Sequence, residues 1–132
     1  MENEALLERY KQELELMFSK GQVPGLGRKL SGWDYVPGLL KQYYDHLTLA
    51  EQKSFRQAVL ELFSSEDPKW QFNLLDVCLL LKMREAIPVM EKLIEIKVGE
   101  SRQGSSSLFH VSVNELRAVI EAIQRREFRE HR

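Results

Sequence analysis

The chain has 132 residues, 43% of them apolar and 30% charged, with a formal net charge of −1. That length suits one domain with a real core, and that composition excludes a disordered chain. The near-neutral balance removes any whole-molecule case for nucleic acid or an anionic membrane. The one cysteine, Cys78, excludes an intramolecular disulfide and a four-cysteine zinc site.

The first predicted element is a helix over residues 3–19. Leu7, Tyr10, Leu14 and Met17 recur at spacings of three and four, and Leu6 and Phe18 widen the stripe. Its start, MENEALLERY, is acidic and amphipathic and lacks the basic start and apolar core of a secretory signal. A cytoplasmic location is the expectation. SKGQVPGLGRKLSGWD follows, with four glycines and a proline. It reads as an irregular, mobile connection near 20–32, with room for a helical turn around Leu26 to Leu30. GQVPGLGRK within it fails as a phosphate-binding loop. The Gly–Lys pair and the following Ser or Thr are missing at the required spacing.

A second helix is expected from Tyr35 to His46, capped by Asp34, with Pro37 in its first turn. Val36, Leu39, Leu40 and Tyr43 form its inner face. Thr48-Leu-Ala-Glu51 is a capping box and opens a third helix to Phe63, with Phe55, Ala58, Val59 and Leu62 on one side. Asp67–Pro68 then starts a fourth helix over 68–81. Its apolar run at residues 74–81 holds one acidic residue, Asp76, and is too short to span a bilayer. Cys78 inside that run reads as a small buried hydrophobe.

KMREAIPVMEKLIE, residues 82–95, decides the architecture. One continuous helix would place Pro88 in its interior, where proline costs about 3 kcal/mol. A bend at Lys82–Glu85 moves Pro88 into the first turn of a fifth helix, where the cost largely vanishes. Two antiparallel helices are therefore predicted, the fifth ending near Val98–Gly99 and folding Met90, Leu93 and Ile94 back on the fourth. A polar, mobile connection over 99–111 follows, interrupted by Leu108, Phe109 and Val111. Ser112-Val-Asn-Glu115 is a second capping box. The last helix, 113–127, should bury Leu116, Val119, Ile120 and Ile123.

Residues 67–95, DPKWQFNLLDVCLLLKMREAIPVMEKLIE, resemble a HEAT-like helical repeat: an Asp–Pro start, a short polar turn, then an aliphatic–Pro start. YVPGLLKQYY at 35–44 and AIPVMEKLIE at 86–95 share the second of these openings. The resemblance implies helix pairs that stack because neither buries its inner face alone. The prolines at 37 and 88 do not give a regular two-helix phase. The predicted fold class is thus all-α, either an irregular helical bundle or a short HEAT-like stack of antiparallel helices, in a single domain over 1–132.

No residue pattern points to catalysis. His46, His110 and His131 are scattered, no pair of histidines is spaced i, i+4, and no Glu-x-x-His pair exists. No cofactor or metal is expected. The aromatic residues and the terminal arginines are more informative, because Trp, Tyr and Arg dominate protein interfaces. The candidate partner-binding residues are Trp33, Tyr43, Tyr44, Trp70, Arg125, Arg126 and Arg129. The function expected is a non-catalytic protein-binding module, of immunity or inhibitor type, acting by surface complementarity on a protein partner and not on a membrane. A small helical enzyme is the alternative. A weak nucleic-acid binder using the carboxyl-terminal arginines is the third reading, which the net charge opposes.

Overall fold

The computed structural model describes residues 2–65, 67–103 and 111–130, with side chains over 4–65, 67–99 and 111–125. They form α1 (Glu2–Lys20), α2 (Val36–Asp45), α3 (Leu49–Phe63), α4 (Pro68–Leu80), α5 (Ile87–Gln103) and α6 (Val113–Glu130), with a 3-10 turn at Arg84–Ala86. No strand occurs among the described residues, so the fold class is all-α, an irregular helical bundle with antiparallel packing. The chain divides into two compact units, Met1–Leu62 and Phe63–Arg132.

The first unit holds α1, α2 and nearly all of α3. Tyr10, Leu14 and Met17 are fully or almost fully buried, as the α1 stripe requires, and Leu40, Phe55, Ala58 and Val59 complete the core. Phe55 is its centre. The rings of Tyr10, Tyr43 and Tyr44 all pack on it, with centroids 5.4, 6.0 and 5.8 Å away. Tilted and edge-on ring pairs of this kind add stability beyond the area they bury. The capping box at the start of α3 forms: Thr48 N–H donates to Glu51 Oε1 at 2.9 Å and Glu51 N–H donates to Thr48 Oγ1 at 3.2 Å.

One cap is not where the sequence places it. The residue preceding α2 is Tyr35, which makes no side-chain cap bond. Asp34 is drawn instead to Arg28 and Ser31. A guanidinium offers a carboxylate two charged hydrogen bonds, which outcompete one bond to a helix N–H. Gly38, on the first turn of α2, lies under the Tyr35 ring. A methyl group there would meet Tyr35 Cδ2 at 3.0 Å.

In the second unit Asp67 caps α4 as expected, accepting from Lys69 N–H at 3.0 Å. α4 buries Trp70, Gln71, Leu74, Leu75, Val77 and Cys78, while Asp76 is exposed. The chain then turns sharply. Met83 N–H donates to the Cys78 carbonyl at 2.9 Å and Lys82 N–H to the Leu79 carbonyl at 3.1 Å, with Lys82 at φ +53. This is a Schellman closure, in which Cys78 and Met83 are the apolar pair that usually accompanies it. Both are fully buried. α5 begins at Ile87, so Pro88 falls in its first turn.

The structure corrects two further expectations. α5 does not stop near Val98–Gly99 but continues to Gln103. A single glycine costs a helix only about 1 kcal/mol, and the residues after it carry no breaker. Nor is α4 the main neighbour of α5: α6 packs against both α4 and α5. The α6 stripe of Leu116, Val119 and Ile123 is buried, whereas Ile120 is half-exposed. The segment expected to be mobile, 99–111, is helical at 99–103; residues 104–110, with Leu108, Phe109 and His110, lie outside the described residues, as does His131.

Candidate interaction surface at the Trp33 turn

Between α1 and α2 the chain forms a small hydrogen-bonded loop, not a helical turn at Leu26 to Leu30. Gln22 and Lys29 pair as an isolated antiparallel bridge, and Leu30 N–H donates to the Gly21 carbonyl at 2.8 Å. At the far end Leu26 N–H donates to the Val23 carbonyl at 3.1 Å across Pro24 and Gly25. Gly25 has φ +80. Proline followed by a positive-φ glycine is the type II arrangement, for which a side chain at the second position would be strained. Val23 turns inward and is buried, tying the loop to its own unit.

The bridge delivers Arg28 next to a second turn, Ser31 to Asp34. Arg28 donates through Nη1 and Nη2 to the two Asp34 oxygens at 2.8 and 2.9 Å. Ser31 N–H donates to Asp34 Oδ2 at 2.8 Å, and Asp34 N–H returns to the Ser31 carbonyl at 3.1 Å. The Arg28 guanidinium, then the Ser31 N–H, hold the Asp34 carboxyl well below the usual carboxylate range. The same bond raises Arg28. Between the clamped residues stands Trp33, whose N–H donates to Ser31 Oγ at 3.3 Å. Its side chain is 98% exposed, and Tyr35 just beyond is 56% exposed. The backbone is pinned on both sides of an almost fully exposed indole.

The other candidates occupy different settings. Tyr43 and Tyr44 are half-buried on Phe55, and Tyr43 Oη donates to Glu13 Oε1. Burial, then that bond, pushes the Tyr43 phenol up. Trp70 is 7% exposed, with the Lys69 ammonium 5.5 Å from its ring centroid. Arg125 is exposed and paired to Glu121 one turn back. The side chains of Arg126 and Arg129 lie outside the described residues. Leu49 and Phe72, which the sequence does not single out, are exposed large apolar side chains.

Among the described residues no group of three or more His, Cys, Asp or Glu side chains could hold a metal ion. No described helix is long and apolar enough to cross a membrane. Comparison with known proteins returned no matching family model, no matching curated protein and no matching solved structure.

Proposed function

We propose that the chain is a non-catalytic protein-binding module that holds its partner through Trp33. The observation that supports this is the combination of near-complete exposure of the indole with a backbone fixed by the Arg28–Asp34–Ser31 bonds. Burying a side chain of about 200 Å² yields on the order of 5 kcal/mol before the costs of association. A pinned turn lowers those costs, because little backbone freedom is left to lose on binding. Tryptophan is also the residue most enriched at interface hot spots.

An immunity or inhibitor role would use the same property: a small helical protein that covers its partner's working surface, in the cytoplasm, needs no chemistry of its own. The HEAT-like resemblance of residues 67–95 fits such a role, since stacked helix pairs commonly serve as binding scaffolds.

The test is capture from a lysate of the native cell by the immobilised full chain and by Trp33→Ala, with mass spectrometry and circular dichroism as the fold control. A protein retained by the natural chain and lost with Trp33→Ala supports the reading. Equal retention by both forms overturns the role of Trp33, and retention of no protein by either overturns the module.

A further inference from the structure

A separate feature lies within the second unit. α5 and α6 flank an open groove of about 420 Å³, lined by Glu91 and Ile94 from α5 and by Arg117, Ile120, Glu121 and Gln124 from α6. Its floor is apolar, with both isoleucines half-buried. Val98, one turn beyond Ile94 on the same stripe of α5, is exposed and extends the apolar strip. The lips carry charges of both signs, Glu91 on α5 and Arg117 with Glu121 on α6. Glu121 is engaged by Arg125. Glu91 and Arg117, facing the same groove, form no ion pair or hydrogen bond among the described residues. Two unmatched charges of opposite sign thus stand on different helices across an isoleucine floor.

We infer that this groove is a self-association surface whose occupant is a second copy of the chain, docked about a two-fold axis. A ligand that satisfies the groove must bring apolar surface, a cation to face Glu91 and an anion to face Arg117. The surface itself carries that set. In an isologous contact residue i meets residue j and j meets i, so Glu91 of each copy meets Arg117 of the other. α5 and α6 are each about 25 Å long at 1.5 Å per residue, enough length for an interface of ordinary size. The inference is independent of the Trp33 reading, which concerns the other unit.

Sedimentation equilibrium of the full chain at low salt tests it. The natural chain should show a mass that rises with concentration toward a dimer. Glu91→Arg and Arg117→Glu, each an exposed substitution that circular dichroism should report as folded, should each weaken the dimer by about tenfold or more. Each single variant places like charges opposite each other twice. In an equal mixture of the two variants, the arginine introduced at position 91 faces the natural glutamate's replacement partner, the glutamate introduced at position 117. The second contact of that mixed dimer is the natural Glu91–Arg117 pair, so association should return. A chain that stays monomeric at its highest soluble concentration overturns the inference. So does a dimer indifferent to both substitutions, or a mixture in which association fails to return. If an unrelated acidic or basic peptide relieves the charges instead, the natural chain will be the monomer of the first of these outcomes.

Discussion

Arg28 and Asp34, six residues apart, meet through two parallel hydrogen bonds, and the backbone between them holds Trp33 out into water. The pair lies in a surface turn, with Arg28 exposed and Asp34 half-buried, so its removal should change the melting temperature little. What should change is the order of the turn. Arg28→Ala is expected to lower the fluorescence anisotropy of Trp33, read in a Trp70→Phe background. Acid should do the same. The Asp34 carboxyl is held below its ordinary value. The ordering is therefore complete above the unfolded value near pH 4 and is lost as pH falls through the depressed one. Anisotropy that stays flat from neutral pH to strong acid would show that the clamp does not order the turn.

The two tryptophans differ sharply in exposure, 98% against 7%. Iodide quenching should therefore reveal one fully accessible and one protected emitter. Trp33→Phe should leave only the protected, blue-shifted one. Two accessible emitters in the natural protein would contradict the burial of Trp70.

Lys82 sits at φ +53, a conformation that disfavours residues with a side chain by roughly 1–2 kcal/mol. Glycine removes that cost and loses about 0.5–1 kcal/mol through the freedom of its unfolded chain. Lys82→Gly should accordingly raise stability by up to about 1 kcal/mol in urea unfolding. A loss of stability would show that contacts of the lysine side chain outweigh its backbone strain.

Tyr10 carries its hydroxyl into the core of the first unit without a hydrogen bond of ordinary geometry. Burial, then the nearby Glu51 carboxylate, pushes its phenol up. Tyr10→Phe should change stability by no more than about 1 kcal/mol in either direction, because the cost of burying the hydroxyl and its attraction to Glu51 oppose each other. A marked loss of stability would mean that the hydroxyl has a partner.

Tyr10 and Tyr43 are both raised above the ordinary tyrosine value. A phenol raised in the folded state leaves stability unchanged below its unfolded value, near pH 10, and stability declines as pH climbs from there through the folded one. Alkaline titration followed by ultraviolet absorbance should show these two phenols ionising late and together with loss of helix. Four tyrosines ionising together near pH 10 in a chain that stays helical would refute this.

The helices are legible in the sequence because their signals are local. Thr48 and Glu51, Asp67 and Pro68, and the stripe at Tyr10, Leu14 and Met17 each name a start or a face within a few residues. Pro88 is legible for the same reason, since its penalty depends only on its position in one helix. Asp34 resembles a helix cap in sequence, but its actual partner, Arg28, is brought near by the Gln22–Lys29 bridge, a pairing that composition alone does not announce. Gly99 resembles a helix end, yet propensity is a weak guide once a helix is otherwise favourable. Trp33 is one aromatic among several in the sequence, and its exposure becomes visible only with the turn that carries it. Tyr43 and Tyr44 are adjacent, which argues against their sharing one core. Both nevertheless reach Phe55, because a large central ring can be met from two directions.

Cys78 is the chain's one thiol, fully buried on α4. Its carbonyl also receives the bond that closes the helix end. An alkylating reagent can reach that sulfur only when the structure around α4 opens. The rate of modification thus becomes a clock for local opening. It needs no engineered probe.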